Sequence, residues 1–231
     1  MDLNDWRRGT RYDVALAGEP IPDRFKLVLN RIGSARRILE VGCHTGHFSA
    51  LLRAEGCHVI GVEVNSDAAG VARENVDELI VGDIEDPQLW DSVPAALDLI
   101  LFMDVLEHLL DPWLALRRSR ERLAPSGRVV ASLPNVACWS IRRELLRGRF
   151  VPPDTGLHDP THLRFFTLPE IRQLFEVTGY AVDSCTPLWT SVPFEHHLRV
   201  WPWLARRWRE WWIARYPNLA IAVPLVEARP R

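Results

Sequence analysis

The chain has 231 residues, of which 47% are apolar and 25% charged, and its 28 basic and 30 acidic residues give a formal net charge of -2. This length is about 1.5 times that of an average domain, so we expect one elaborated domain with a full apolar core. The small net charge excludes a global field that would attract nucleic acid or anionic lipid, so any such attraction must be local.

The rarity of lysine and the scatter of cysteine exclude further classes of protein. Lys26 is the only lysine in the sequence, and its neighbours suit neither the Gly-Lys-Ser/Thr of a P-loop nor the Schiff-base lysine of a pyridoxal enzyme. The four cysteines form no C-x-x-C pair, which argues against a zinc site or a disulfide framework. Since the N-terminus also lacks an apolar signal segment, we expect a cytoplasmic protein that is soluble or at most peripheral on a membrane.

Apolar segments and helical patterns alternate along the chain. After a polar start, a helix with Phe25 and Val28 on its apolar face is predicted to end at Gly33. Strands are expected at residues 37–41, 57–63, 78–81, 97–103 and 127–133, separated by helices at 48–53, 67–75 and 112–123. Beyond Pro134 we expect a helix at 136–146, a loop or lid at 148–159, a helix at 168–177 and strands at 180–185 and 219–223. The pattern predicts an α/β fold, with a doubly wound, mostly parallel seven-stranded sheet and helices on both faces.

The turn after the first strand is rich in glycine and predicts a nucleoside site. Gly42 and Gly46 allow backbone amides to approach a ligand at the carboxyl edge of the sheet. A dinucleotide fingerprint would also need glycine at positions 44 and 47, and both are histidine, which disfavours a pyrophosphate. The next strand ends at Glu63, whose carboxylate is placed to accept hydrogen bonds from ribose hydroxyls. The pattern therefore indicates a nucleoside without a pyrophosphate.

These motifs resemble those of the class I S-adenosylmethionine-dependent methyltransferases, which have a Rossmann-like fold. Glu40, Gly42 and Gly46 match the first motif, acidic-x-Gly-x-Gly-x-Gly, in which His44 replaces the middle glycine. Glu63 matches the acid that binds the ribose in that family. The resemblance implies that S-adenosylmethionine is bound by residues near four strand ends, which are Glu40, Gly42, His44, Gly46, Glu63, Val64, Asp83, Ile84 and Met103.

The resemblance also implies how a single methyltransferase domain, residues 1–231, is divided. We expect residues 1–35 to form an N-terminal helical cap and residues 36–134 to form the cofactor-binding half. Residues 135–231 are then the acceptor-side half, with a Trp/Arg-rich helix at 198–216 inserted before the last strand.

Four side chains are candidates for acid–base catalysis. An alcohol acceptor must lose its proton when it is methylated, and the ordinary pKa of histidine, about 6.5, suits a general base near neutrality. His108 lies in the fourth motif of the family, and His158, Asp159 and His162 lie in a segment before the next helix. The alternative is structural, with His108 capping a short helix and the later segment serving as a packing element.

Asp104, Glu107 and His108 form a second candidate group. Their spacing is similar to the E-x-x-E-H of the ubiquinone-biosynthesis O-methyltransferases, in which those residues hold a divalent metal. The resemblance implies a hard cation such as Mg²⁺ that lowers the pKa of the acceptor hydroxyl. A purely structural role for the three residues is the alternative.

Two further segments, residues 134–143 and 159–167, look like methyltransferases of polysaccharide and glycan biosynthesis, and more loosely like the MetW-type group of methionine biosynthesis. This resemblance makes a sugar or another small hydroxylated molecule the leading acceptor of an O-methylation. Trp139 is then either a stacking surface for the acceptor or a core residue of its helix. The alternatives are an N- or C-methyltransferase of the same fold and a MetW-like non-catalytic partner protein. We expect no nucleic-acid partner.

The segment 198–216 holds five of the ten tryptophans. The helical spacing predicts one aromatic face that is made of Trp201, Leu204, Trp208, Trp211, Trp212 and Tyr216. Residues 198–231 contain seven arginines and two glutamates, a charge of +5, so the rest of the chain carries -7. Four placements of this Trp/Arg helix are open. It could lie in a membrane interface, form a subunit contact such as a homodimer, cap the acceptor site, or pack on its own domain.

Overall fold

The computed structural model describes residues 23–33, 35–150, 157, 160–195 and 201–231. The strands in these ranges are β1 (Arg37–Val41), β2 (His58–Glu63), β3 (Glu78–Val81), β4 (Leu97–Met103), β5 (Leu123–Ser132), β6 (Tyr180–Thr190) and β7 (Ile221–Pro230). The helices are α1 (Asp23–Ile32), α2 (His47–Ala54), α3 (Ser66–Ala72), α4 (Leu89–Ser92), α5 (Pro112–Arg122), α6 (Trp139–Leu146), α7 (Leu168–Val177), α8 (Pro202–Arg215) and α9 (Pro217–Ala220). A 3₁₀ turn, Leu106–His108, follows β4.

The strands form one mixed sheet in the order β3-β2-β1-β4-β5-β7-β6. The first five strands run parallel to one another, whereas β7 pairs antiparallel with both β5 and β6. The predicted doubly wound, mostly parallel, seven-stranded sheet is therefore confirmed. Because β1 to β4 are parallel neighbours, their carboxyl ends meet at one edge, which is where such folds bind nucleosides.

Strand β4 shows why the sheet is covered on both faces. Leu99 and Leu101 belong to one buried apolar cluster, whereas Ile100 and Phe102 belong to the cluster on the other face. Successive side chains of a strand point to opposite faces, so an unbroken apolar run needs cover on each side. The apolar sequence of β4 therefore places it in the middle of a three-layered structure.

Helix α1 covers one of these faces. Val28 and Ile32 are buried in the core, and the ring of Phe25 stacks on that of Phe48 with 4.8 Å between centroids. The Arg128 guanidinium donates to the last two carbonyl oxygens of the helix, each at 2.7 Å, which satisfies groups that a helix end leaves without a helical partner. The predicted cap at residues 1–35 is described from residue 23 onward, and residues 1–22 lie outside the described residues.

The last strand differs from its prediction at residues 219–223. Residues 217–220 form α9 instead, and β7 begins at Ile221 and continues to Pro230. The apolar pattern is broken by Pro224 and Glu227, yet β7 pairs with β6 from Ile221 to Pro230 and with β5 over residues 225–228. The Glu227 carboxylate has partners on both β6 and α1: it accepts from the Ser184 hydroxyl at 2.7 Å and pairs with Arg31 at 3.1 Å. Tertiary pairing thus extends the strand beyond its local apolar signal.

Asn135 joins the segment after β5 to α9 and to the beginning of β7. The amide nitrogen of this buried side chain donates to the carbonyl oxygens of Asn218 and Ile221, at 2.9 and 2.6 Å. Its oxygen accepts from the Ala137 N–H at 2.9 Å. A backbone bridge also joins Asn135 to Phe166, so residues 135–137 lie beside the segment that precedes α7.

The Trp/Arg segment contains helix α8, which begins at Pro202, and residues 198–200 of the predicted helix lie outside the described residues. Across the described part of the chain, each helix is too short or too polar to cross a lipid bilayer.

Candidate cofactor and acceptor site

The turn between β1 and α2 has the backbone geometry that its glycines predict. Gly42 and Gly46 have φ angles of 69° and 76°, in the left-handed region that favours glycine. A Cβ on Gly42 would lie 2.8 Å from a methyl carbon of Val105, and one on Gly46 would lie 2.6 Å from the Cβ of Asn75. The glycines therefore let the turn approach both the segment after β4 and the end of α3.

His44 adopts φ 50° in the same turn, where the family motif has its middle glycine. Such a backbone conformation is costly for a residue with a side chain and persists only where its surroundings hold it. The His44 N–H donates to Oε2 of Glu63 at 2.8 Å, which holds the turn in place. The substitution is thus compatible with the motif's backbone path.

Glu63 ends β2 and is buried at the centre of this edge. Besides the bond from His44, its Oε1 accepts from the Asn65 N–H at 2.8 Å. Asn65 in turn caps α3 by accepting from the N–H groups of Asp67 and Ala68. Each carboxylate oxygen has more than one lone pair, so this acid can accept further bonds from ribose hydroxyls. The donor set therefore fits the expected nucleoside.

Glu40 lies on β1 below the turn. Burial raises the pKa of its carboxyl to about 7, the Ser49 hydroxyl that donates to it lowers the pKa, and the nearby Glu63 charge raises it. A carboxyl poised near neutrality becomes ionised when a cation binds close to it. This property suits a cofactor that carries positive charge on sulfur and nitrogen.

The other predicted cofactor residues lie along the same edge. Val64 follows β2, Asp83 and Ile84 follow β3, and Met103 ends β4. The Gly82 N–H donates to the Glu63 carbonyl oxygen at 2.9 Å, which ties the β3 turn to the end of β2. The Ile84 carbonyl accepts from the Trp90 indole at 2.9 Å, so helix α4 also holds this turn. The structure thus brings the strand ends together as the motifs predict.

Asp104 is turned away from its predicted partners. Its φ is 55°, and its Oδ1 accepts from the Ser132 hydroxyl at 2.6 Å. Its Oδ2 lies 4.0 Å from the Arg24 guanidinium of α1. The carboxylate therefore faces β5 and α1, and the structure does not group Asp104 with Glu107 and His108.

Glu107 and His108 are joined instead by His162. Their ligand atoms all lie within 4.8 Å of one another, and Glu107 and His162 are 1% and 8% exposed. The two imidazole rings meet edge to face with 4.7 Å between centroids. We refer to Glu107, His108 and His162 as the acid–imidazole cluster.

Backbone hydrogen bonds build this cluster. The N–H groups of Leu163 and Arg164 both donate to the Glu107 carbonyl oxygen at 2.9 Å. His108 Nδ1 lies 3.1 Å from the Thr161 carbonyl oxygen and 3.2 Å from the Thr161 hydroxyl oxygen, so Thr161 holds this side of the imidazole ring. The segment before α7 is therefore fastened onto the 3₁₀ turn, and this places His162 beside His108.

The sequence indicated each of these residues as a candidate but not their grouping. Thr161 lies 53 positions beyond His108, and no spacing rule connects two loops so far apart. His158 and Asp159, the other candidates, lie outside the described residues. Trp139 is half-buried at the start of α6, which leaves both of its predicted roles open.

A family model described as a methyltransferase domain matches residues 11–184. The ubiquinone biosynthesis O-methyltransferase of Aeromonas salmonicida is 30% identical over 172 residues, which are 70% of this chain and 70% of that protein. The protein of the same name from Idiomarina loihiensis is 29% identical over 132 residues, and the match covers 53% of this chain and about half, 54%, of that protein.

Solved structures show the same fold. A SAM-dependent methyltransferase from Archaeoglobus fulgidus has a TM-score of 0.64 at 18% identity, with 89% of this chain and 91% of that chain covered. Magnesium protoporphyrin IX methyltransferase from Synechocystis, solved with bound SAH, has a TM-score of 0.58 at 14% identity, with coverage of 90% and 83%. Since the family model spans most of the chain, and the glycine turn and Glu63 fit the cofactor, the chain belongs to the class I S-adenosylmethionine-dependent methyltransferases.

Proposed function

We propose that this methyltransferase acts on a hydroxyl oxygen of a small acceptor, with sugars as the first acceptor class to test. The observation that carries the proposal is the buried acid–imidazole cluster at the carboxyl end of β4. The cluster follows Val105, which contacts the glycine turn, so it lies close to where the reacting end of the cofactor is expected. Methylation of oxygen requires removal of a proton, which an imidazole at this position can accept.

In this proposal, the residues at the carboxyl ends of β1 to β4 bind the cofactor. Bound S-adenosylmethionine supplies an electrophilic methyl carbon on a positively charged sulfur. Glu63 accepts hydrogen bonds from the ribose hydroxyls, and the Glu40 carboxylate stabilises the positive charge of the bound cofactor. The Asp83–Ile84 turn would flank the adenine, while Met103 and His44 would border the methionine part.

The acceptor half has a proton-transfer task. The hydroxyl proton must leave as the acceptor oxygen bonds to the methyl carbon and the carbon–sulfur bond breaks. An imidazole nitrogen of His108, or of His162 beside it, receives this proton. Glu107 then stabilises the imidazolium that forms, because a buried carboxylate strongly favours a neighbouring positive charge.

Two findings support oxygen and a sugar as the acceptor. The relatives from Aeromonas salmonicida and Idiomarina loihiensis are named ubiquinone biosynthesis O-methyltransferases. Trp139 is half-buried at the start of α6, shortly after Asn135, which bridges Phe166 in the segment before α7. An aromatic face of this kind suits the apolar side of a sugar ring.

The same cluster fits a divalent metal as a second candidate role. One carboxylate and two imidazoles can all reach a common ion within the 4.8 Å separation of their ligand atoms. The sequence resemblance implies Mg²⁺, but two nitrogen donors suit Mn²⁺ or Zn²⁺ better than a cation that prefers oxygen alone. A metal here would hold the acceptor hydroxyl and lower its pKa.

The test measures transfer of a labelled methyl group from S-adenosylmethionine to sugars, nucleotide-linked sugars and catechols, followed by product identification. With the acceptor that this screen identifies, we expect His162→Asn or His108→Asn to reduce kcat about a hundredfold or more. The affinity of each variant for S-adenosylhomocysteine should stay within twofold of the wild type. His58→Asn is the matched control, because His58 is exposed at the amino end of β2, at the opposite edge of the sheet, and pairs there with Glu78. EDTA separates the two roles, since a metal-dependent enzyme loses activity and regains it with Mn²⁺, whereas a general base is unaffected.

Three outcomes would contradict the proposal. Unchanged kcat in both histidine variants would remove the cluster from catalysis. A product methylated on nitrogen or carbon would replace the proposed acceptor atom. Cofactor binding without transfer to any acceptor class would favour a non-catalytic partner protein.

A further inference from the structure

Helix α8 presents tryptophan and arginine on its outward side. The spacing of Trp203, Arg207, Trp211 and Arg215, each four residues from the next, places them along one face of the helix. All four are exposed, and the two tryptophans are 62% and 51% exposed. We refer to these four residues as the Trp/Arg face.

An adjacent side of α8 attaches it to the protein. Ala205 is the one buried residue of the helix, and Trp208 and Trp212 are half-buried beside it. The Trp208 indole donates to the Pro193 carbonyl at 2.7 Å, and Arg209 pairs with Glu195. The helix is therefore held through its inner side, which leaves the Trp/Arg face directed outward.

The aromatic side chains were predicted to pack on their own domain, and only some of them do: Trp208 and Trp212 are half-buried, whereas Trp203 and Trp211 are exposed. Ring contacts extend from the inner to the outer side: Trp208 and Trp211 stack with 5.8 Å between centroids, and Trp211 and Trp212 meet edge to face at 5.4 Å. This contact fixes the orientation of Trp211 without covering it. Exposed large apolar groups that are held rigidly in a patch mark an interaction surface.

Charge decides which occupant fits the face. Helix α8 carries four arginines and one glutamate, Glu210, which pairs with Arg206, so the helix has a net charge of +3. In a two-fold contact with a second copy, the same face would meet itself, and its arginines would be brought together in an interface that removes water. An anionic surface instead neutralises them, and tryptophan favours the polar–apolar boundary of a bilayer.

We infer that the Trp/Arg face of α8 is a docking surface for an anionic phospholipid membrane. Trp203 and Trp211 enter the headgroup layer, while Arg207 and Arg215 bind lipid phosphates. Arg215 also lies over the Tyr216 ring at 4.8 Å, which orients its guanidinium at the end of the face. The contact is peripheral and reversible, because one helix face of this size is not a stable anchor. It would bring the enzyme to acceptors that are linked to lipid or dissolved in it.

Vesicle co-sedimentation of the full chain tests this inference and does not depend on methyl transfer. We expect binding to vesicles of phosphatidylcholine with phosphatidylglycerol, weak binding to phosphatidylcholine alone, and release at high salt. Arg207→Gln/Arg215→Gln should lower the partition coefficient about thirtyfold, since each basic residue near an anionic surface contributes about fivefold. Trp203→Ser/Trp211→Ser should abolish binding, because it removes the side chains that enter the headgroup layer.

The matched control is Arg73→Gln/Arg117→Gln, which removes two exposed arginines from α5 and the end of α3 and should bind vesicles as the wild type does. Because the arginine variants replace exposed side chains, their folding and cofactor affinity should stay unchanged. A wild-type protein that remains in the supernatant with anionic vesicles would overturn the inference. Equal loss of binding in the control pair would also overturn it, since that would reflect net charge alone. A lipid-independent dimer that the tryptophan variant dissociates would assign the face to a second copy.

Discussion

At the residue scale, Glu63 joins the two turns of the cofactor site. It accepts from the N–H groups of His44 and Asn65, both at 2.8 Å. We predict that Glu63→Gln weakens binding of S-adenosylmethionine and S-adenosylhomocysteine alike by about ten- to hundredfold, because hydrogen bonds to a charged acceptor contribute about 1.5–3 kcal/mol. Calorimetry measures both affinities. Glu78→Gln, an exposed change at the start of β3, is the control, and equal affinities in wild type and Glu63→Gln would remove Glu63 from the ribose site.

Glu40 makes the stability of the cofactor-free protein depend on pH. Burial raises the pKa of this carboxyl from 4.5 to about 7, so the folded state holds the proton more tightly than the unfolded state. The free energy of unfolding therefore falls as pH rises from about 4.5 to about 7, and the destabilisation is complete above that range. Its size is at most about 3 kcal/mol at pH 8.

Glu40→Gln removes this titration while keeping an oxygen that accepts from Ser49. We predict that urea denaturation of the cofactor-free variant shows a gain in stability over the wild type at about pH 8 that shrinks towards about pH 5. A gain of the same size at both pH values would show that the carboxyl of Glu40 is not perturbed. The same variant should bind S-adenosylmethionine more weakly at high pH, because it no longer offers a carboxylate to the cofactor's positive charge.

Single residues differ in how well the sequence predicts them. Gly42, Gly46 and Glu63 could be predicted because each lies at the end of a strand or a few residues after it, so a local pattern defines its place. The acid–imidazole cluster could not, since His162 reaches His108 only through bonds between two distant loops. Asp104 was grouped with Glu107 by spacing, but its left-handed backbone and the Ser132 hydroxyl turn its carboxylate towards β5.

At the element scale, Asn135 connects the end of β5 to α9 and β7. We predict that Asn135→Ala lowers the free energy of unfolding by about 2–3 kcal/mol, because two buried carbonyl oxygens and one N–H lose their partner. Urea denaturation measures the change. Asn30→Ala, an exposed change on α1, should cost well under half as much. Equal losses in the two variants would show that the connection contributes nothing.

The elements that the sequence missed are those defined by tertiary contacts. Helix α4 has four residues, too few for a periodic signal, and it forms around the buried ring of Trp90. Strand β7 extends past Pro224 because neighbouring strands pair with it on both sides. By contrast, β1 to β4 carry continuous apolar runs, and their predicted bounds agree with the structure to within one residue.

At the scale of the whole molecule, the parallel half of the sheet builds the proposed cofactor site, and the later segments build the proposed acceptor site beside it. The turn after β1 contacts Val105, and the segment before α7 is bonded to Glu107 in the following turn. The two halves are therefore one connected structure, and helix α8 adds an outward face that neither half uses. The doubly wound, mostly parallel sheet could be predicted from the alternation of strands and helices, whereas the contact between the two halves depends on loops whose paths have no sequence signal.

The central claim is that the cofactor's reacting end faces the acid–imidazole cluster while Glu63 holds its ribose. A crystal structure of the chain with S-adenosylhomocysteine tests this claim most directly. The account predicts ribose hydroxyls within hydrogen-bond distance of the Glu63 carboxylate and the thioether sulfur directed towards His108 and His162. A product bound away from the carboxyl edge of β1 and β2, or a sulfur directed away from the cluster, would contradict the account.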